Sequence, residues 1–305
     1  MMQVKFVERN AIDDKRWNGK IHYSPYGMPY AYTWYLDNVC EEWNGLILGD
    51  YNAVMPIVHA RKWSFDYVFQ PFFVQQLGIF TDMPISEGMT AAFFNAIPSK
   101  YKYTEMCIHE QSIVPKDFVV QERENYVLEL RQEYELIQKG YSGNLLRNLR
   151  KAQKANLQYH TQLKPEEFVD FYMENTAPKI DGFSDYHKYA MLRFIHKALF
   201  YSVGILCAVV NEEKKIVAAD FLLVHPTRTI NLLPTSSQEG RDKSAMHFLL
   251  DTVIKIGAGK QQYLDFEGSM IAGIAKFYQS FGAEKRTYFH IKQNNLPYLA
   301  RIFKK

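Results

Sequence analysis

The sequence predicts an α/β protein built as two similar domains, and three observations carry that reading. The apolar and amphipathic segments of the second half follow the order β-β-β-α-β-α-β. A strand, polar turn and second strand occur at Gly45–Val58 and again at Gly204–Val224. At 305 residues the chain is long enough for two domains of ordinary size. The division is expected near Glu133–Tyr141, giving domains 1–135 and 136–305.

The first half opens with a short strand over Gln3–Val7 and an aromatic loop, Tyr23–Tyr30. A helix is predicted over Met28–Trp43, with Trp34, Val39 and Trp43 among its apolar positions. Gly45–Leu48 and Ala53–His59 alternate apolar residues around the turn Gly49–Asn52, which reads as a hairpin. A strand at Tyr67–Phe69, an irregular Pro71–Ile79, a helix near Ser86–Ala96 and strands at Tyr103–His109 and Tyr126–Leu130 complete this half.

The second half begins with a helix over Gly143–Ala155 and a short strand at Gln158–Gln162. The next helix starts at Pro165, where Glu166 and Glu167 suit the positive end of its dipole, and another spans Asp185–Leu199. Strands Ser202–Val210 and Ile216–Val224 flank the polar turn Asn211–Lys215. Strand Thr229–Thr235, helix Lys243–Ile256, strand Tyr263–Glu267, helix Gly273–Ser280 and strand Arg286–Ile291 follow.

Composition narrows the class. A hydrophobic fraction of 47% beside 23% charged residues is that of a soluble protein with a real core. Aromatics at 15% imply a core or a binding groove built with rings. No apolar run is long enough to cross a bilayer, and the N-terminus meets Glu8, Asp13 and Asp14 without a signal-peptide core. Cys40, Cys107 and Cys207 are odd in number, far apart and set among apolar neighbours, so reduced thiols and a cytoplasmic location are expected.

A net charge of +3 is too mild to announce a nucleic-acid binder, but its distribution is uneven. No acid lies between Glu135 and Glu166. Within that window Arg147, Arg150, Lys151 and Lys154 stand at i, i+3, i+4 and i+7, which puts four cations on one helix face. A solvated helix face is one reading. The absence of acids at i,i+4 favours an anionic ligand such as a phosphate, a pyrophosphate or an RNA backbone.

Two further segments carry candidate chemistry. Between a strand and a helix, Gln238, Gly240, Arg241, Lys243 and Ser244 offer free N–H groups and charge for a pyrophosphate, although the run is not a P-loop and also reads as a plain capped helix entry. In Asp265-Phe266-Glu267 the two acids are two apart on a strand and are expected on one face. Asp265 reads as structural. Glu267, nearer the strand end, is the candidate base toward an amine. The nine histidines show no metal-ligand spacing, so no metal is expected, and neither a G-x-S-x-G elbow nor a Cys-His signature is present.

The run Asn144–Lys154, followed by Tyr263–Ser269 and then Ile274–Gly282, resembles the tandem Gcn5-related N-acetyltransferase (GNAT) superfamily, in its branch of Fem-type aminoacyltransferases and acetyltransferase-like relatives. The resemblance covers Gly143–Ile291 by motif and the first half by topology. It implies two GNAT-like domains, each a mixed, mostly antiparallel sheet flanked by helices. It also implies transfer of an acyl or aminoacyl group from acyl-CoA or aminoacyl-tRNA to an amine, with a cell-wall precursor as an acceptor and tRNA as a partner when the donor is aminoacylated. Thr229–Thr235 would pair with the donor and Gln238–Ala245 would receive its pyrophosphate, with Glu267 as base and Tyr278 as acid. Fem enzymes resemble Phe-Lys-x-Gly-Phe-Gly where this chain has Phe277–Gly282, so Tyr278 stands at the lysine position and Lys276 lies two residues earlier. The alternative expectation is a non-catalytic protein of this fold that binds a peptidoglycan precursor or another anion.

Overall fold

The computed structural model describes residues 3–62, 64–260, 262–268 and 270–297. Ser269, part of the resemblance above, lies outside them. The chain forms two compact units, Met1–Glu124 with Thr287–Lys305, and Asn125–Arg286. The expected boundary at 135/136 therefore differs from the compact units in two ways. The split falls earlier, at 124/125, and the C-terminal residues return to the first unit.

In the first unit the strands are β1 (Val4–Glu8), β2 (Trp43–Leu48), β3 (Ala53–Lys62), β4 (Phe65–Val68), β5 (Phe80–Thr81) and β6 (Tyr101–Ile108). The helices are α1 (Asp14–Tyr23), α2 (Thr33–Val39) and α3 (Glu87–Asn95). The strand order is β1-β2-β3-β4-β6, with β5 beside β3 and with β4 and β6 parallel. Asp13 caps α1 by accepting from the Arg16 N–H, and Trp17 and Ile21, one turn apart, are its buried contacts.

The predicted helix over Met28–Trp43 is shorter than its pattern. Pro29–Ala31 forms a single 3-10 turn, α2 ends at Val39, and Trp43 begins a strand. Tyr30 is buried, as are Tyr32 and Tyr35 just after it, so the end of the aromatic loop is core. Tyr23 alone of its tyrosines is mostly exposed.

The second unit contains the end of β7 (Val119–Glu129) from Asn125 on, α4 (Tyr134–Gln138), α5 (Gly143–Lys154), β8 (Gln158–His160), α6 (Pro165–Asn175) and α7 (Asp185–Phe200). It continues through β9 (Gly204–Val210), β10 (Ile216–His225), β11 (Arg228–Asn231), β12 (Thr235–Ser236), α8 (Gln238–Asp242), α9 (Ala245–Gly257), β13 (Tyr263–Asp265) and α10 (Ala272–Gln279). The order β8-β9-β10-β11-β13 repeats that of the first unit, with β12 beside β10 as β5 is beside β3, and with β11 and β13 parallel as β4 and β6 are. The strand–turn–strand similarity in the sequence is thus the trace of one architecture used twice.

The strand that follows β13 or β6 in the order is not the one its place in sequence would suggest. Val127–Glu129 of β7 pairs with β13 in the second unit. Phe289–Asn294 of β14 (Glu284–Asn294) pairs with β6 in the first. Each unit therefore takes as its closing strand the one that its position in sequence would assign to the other.

The core of the second unit lies on the sheet face covered by α5, α9 and α10. Leu145, Leu249, Leu250 and Ile254 meet Val209, Ala218, Leu222 and Leu264 there, and Phe266, Tyr278 and Phe281 join them. On the opposite face Phe194 of α7 packs on Phe221 of β10.

Candidate functional site

The site is built where two parallel strands part. β11 and β13 pair at Thr229–Leu264 and Ile230–Asp265, and β13 then ends. β11 continues along β10 through an irregular step. Asn231 lies opposite Leu222 and Thr235 opposite Ala219, so the three residues Leu232–Pro234 face the two residues Asp220 and Phe221, which is a one-residue bulge. Beyond Asp265 the other branch turns to β7, where the Phe266 N–H donates to the Tyr126 carbonyl and the Tyr126 N–H to the Glu267 carbonyl. The backbone between the branches is left without a strand partner.

Asp265 holds this fork. It is buried, accepts from the Arg228 guanidinium at 2.7 Å and from the Asn125 amide at 3.0 Å, and accepts the Glu267 N–H at 3.0 Å. A buried carboxylate that accepts three hydrogen bonds, one of them from a buried guanidinium, is structural. Glu267 departs from the expected alternation. With φ of +58° it leaves the strand conformation, so it does not simply share the face of Asp265. Strain of that kind in a half-buried acid at a strand end is characteristic of functional sites.

Glu267 and Tyr278 lie near enough to interact electrostatically. The Tyr278 ring stacks on Phe266 at 4.9 Å between centroids, and burial pushes its phenol well above the usual range, with the charges of Asp220 and Glu267 adding to the effect. Tyr172 of α6 feels the same surroundings. Burial raises its phenol first, then Glu267 and Asp220. Both hydroxyls therefore keep their protons near neutral pH.

Two residues that the sequence reading missed complete the group. Asp220 lies in the middle of β10, is completely buried, and neither carboxylate oxygen has a hydrogen-bond partner of proper geometry. Burial lifts its carboxyl to about 8, and the nearby backbone N–H groups of Leu233 and Phe221 restrain the rise only partly. Asn231, at the bulge, is 1% exposed, and neither end of its amide closes a hydrogen bond, although it faces the Tyr278 hydroxyl closely enough to favour the ionised form. The available signal was an acid inside the apolar run Ile216–Val224.

The remaining candidates are placed elsewhere in the unit. Ser237 caps α8 by accepting the Gly240 N–H, and a Cβ at Gly240 would overlap the Val217 carbonyl oxygen, so this glycine serves close packing on β10. Lys243 is paired with Glu239 at 2.8 Å, and Arg241 donates to Gln238 at 2.9 Å. Ser244 opens α9 with φ of +58° and donates to Asn148 of α5 at 3.2 Å. On α5, capped by Ser142, Leu145 and Ala152 are buried while Arg147, Arg150, Lys151 and Lys154 are exposed, as is Lys276 on α10. Among the described residues no carboxylate pairs with any of these five cations. Nor does any group of three or more His, Cys, Asp or Glu among them have the geometry to hold a metal ion.

No known family profile matches the sequence, and no curated protein matches it. Solved structures do. FemX superposes with a TM-score of 0.69 over 96% of this chain and 99% of its own, at 12% identity. L-PGS from Bacillus licheniformis gives 0.60 over 95% of each chain, also at 12% identity. A tandem GNAT protein from the clavulanic acid biosynthesis pathway gives 0.57 over 97% of this chain and 99% of its own, at 10% identity. At such identities the likeness speaks for the fold, and together with the repeated strand order it fixes that fold: the chain has the tandem GNAT fold in its Fem-like form.

Proposed function

We propose that the protein transfers an acyl or aminoacyl group from an activated donor to an amine at the fork between β11 and β13. The observation that carries this reading is the parting of two parallel strands beside Glu267 and Tyr278. In the bulge the Leu232 N–H donates to the Phe221 carbonyl and Pro234 has no N–H, so the Leu233 N–H is the bulge donor left for a carbonyl oxygen that becomes an oxyanion. Glu267 takes a proton from the amine as its nitrogen bonds to the carbonyl carbon. The bond from that carbon to the donor's sulfur or oxygen breaks, and Tyr278 gives its proton to the departing group. Acyl-CoA and aminoacyl-tRNA both fit as donors. Their phosphates would meet the start of α9 near Gln238, Gly240, Arg241, Lys243 and Ser244, while Arg147, Arg150, Lys151, Lys154 and Lys276 offer charge to a larger anion such as tRNA or a cell-wall precursor.

The test is a transfer assay on Glu267→Gln and Tyr278→Phe, with folding checked by thermal melting. A loss in kcat/KM of about 10²–10⁴ is expected for the glutamate variant. Full activity in both variants would exclude these roles.

A second reading, a non-catalytic binder of a cell-wall precursor or another anion, is favoured by one observation. The segment expected to receive the donor is internally satisfied, with Lys243 already paired and Gly240 closed against β10. Thermal stabilisation by an acyl-CoA supports the enzyme. Stabilisation by a cell-wall precursor without turnover supports the binder.

A further inference from the structure

The fork contains buried polar atoms that its own groups leave unsatisfied. Asp220 contributes two oxygens and Asn231 both ends of its amide, three acceptors against one NH2, all without a hydrogen bond, and the Tyr278 oxygen faces the same group. Burying polar atoms in this way costs stability unless a partner arrives. Asp220 on β10 lies opposite the bulge and Asn231 lies at its start, where β11 has parted from β13. A ligand that satisfies them must bring several N–H donors and preferably a positive charge. A primary ammonium has three donors and a unit charge.

We propose that Asp220, Asn231 and Tyr278 form the seat of a primary ammonium group, supplied either by the acceptor amine or by the α-ammonium of an aminoacyl donor. This rests on the transfer reaction being placed at the fork. The carboxyl must lose its proton to pair with the ammonium, so binding strengthens as pH rises through its ionisation near 8. The groups around Asp220 do not compete in that range. Cys207 on β9, Tyr159 on β8, Tyr172 on α6 and Tyr278 on α10 are all pushed upward, chiefly by burial, and remain neutral. Glu267, beyond the strand end, is the remaining acid near the two site tyrosines.

The experiment is a thermal-shift titration with ethylammonium chloride against tetramethylammonium chloride at equal ionic strength. Ethylammonium should stabilise the protein, with an affinity about tenfold weaker at pH 7 than at pH 9. Tetramethylammonium, which has no N–H, should not. Asp220→Asn should abolish the effect, and Asn231→Leu should weaken it at least tenfold, which keeps the test alive if one variant fails to fold.

Two pairs separate the sources at pH 7, where both amines are mostly ammonium ions. Alaninamide binding in preference to N-acetylalaninamide assigns the seat to the donor. Glucosamine binding in preference to N-acetylglucosamine assigns it to the acceptor. An equal response to tetramethylammonium, an effect that survives in Asp220→Asn, or no response to any ammonium overturns the proposal. Transfer activity found without an ammonium effect overturns this inference alone, whereas an ammonium effect without transfer removes the catalytic reading and leaves the binding seat.

Discussion

Asp220 sits among Ala218, Leu222 and Cys207, a place where an aliphatic residue would normally be the stabilising choice. Its folded-state ionisation near 8 lies above the ordinary aspartate value of 3.8, so the native state holds the proton more tightly than the unfolded chain does. The sign follows. Stability is unaffected by this group below the unfolded value, falls as pH rises between the two, and levels off above about 8. We predict that Asp220→Asn is more stable than the wild type by an amount that grows by roughly 1.4 kcal/mol per pH unit across that window. Urea titrations at several pH values read this directly, and a pH-independent difference would remove the buried carboxyl as its cause. Glu267 was a candidate because it stands near a strand end, and Tyr278 because the resemblance implied it. Asp220 and Asn231 were not, because burial without a partner is a property of the assembled face and not of spacing along the chain.

Among the elements, α8 depends on one glycine. Gly240 lies against the Val217 carbonyl with no room for a methyl group, and the obstacle is backbone, which cannot swing aside as a side chain would. Gly240→Ala should therefore lose about 2 kcal/mol or more in chemical denaturation. A loss under about half of one kcal/mol would mean that α8 shifts freely. The basic helix α5 behaves oppositely. Its four exposed cations make no ion pair among the described residues, so Arg147→Ala with Lys151→Ala should leave stability within about 0.5 kcal/mol. The same pair of changes should reduce the salt dependence of any tRNA binding measured by filter retention. Periodicity revealed α5 and α7 because their apolar stripes are regular. The helix α1 was missed because Trp17 and Ile21 form a stripe of only two residues. The span Met28–Trp43 was overextended because buried rings at helical spacing look alike in a helix, a 3-10 turn and a strand start.

For the whole molecule, the repeated strand order was legible as two similar halves, and the exchange of closing strands was not. Pairing partners far apart in sequence leave no local pattern. Truncation after Arg286 removes no residue of the second unit but takes the partner of β6 from the first. All four tryptophans, Trp17, Trp34, Trp43 and Trp63, fall within Met1–Glu124. The truncated protein should therefore lose the native tryptophan emission while far-ultraviolet dichroism keeps the signal of a folded second unit. Retention of the native emission would mean that the sheet tolerates an open edge at β6. The exchange also reverses the order of completion during synthesis. The unit that leaves the ribosome first waits for Phe289–Asn294, which emerge after every residue of the second unit. Until then β6 presents an unpaired edge, the kind of surface that nascent chains pair wrongly and that holding chaperones cover.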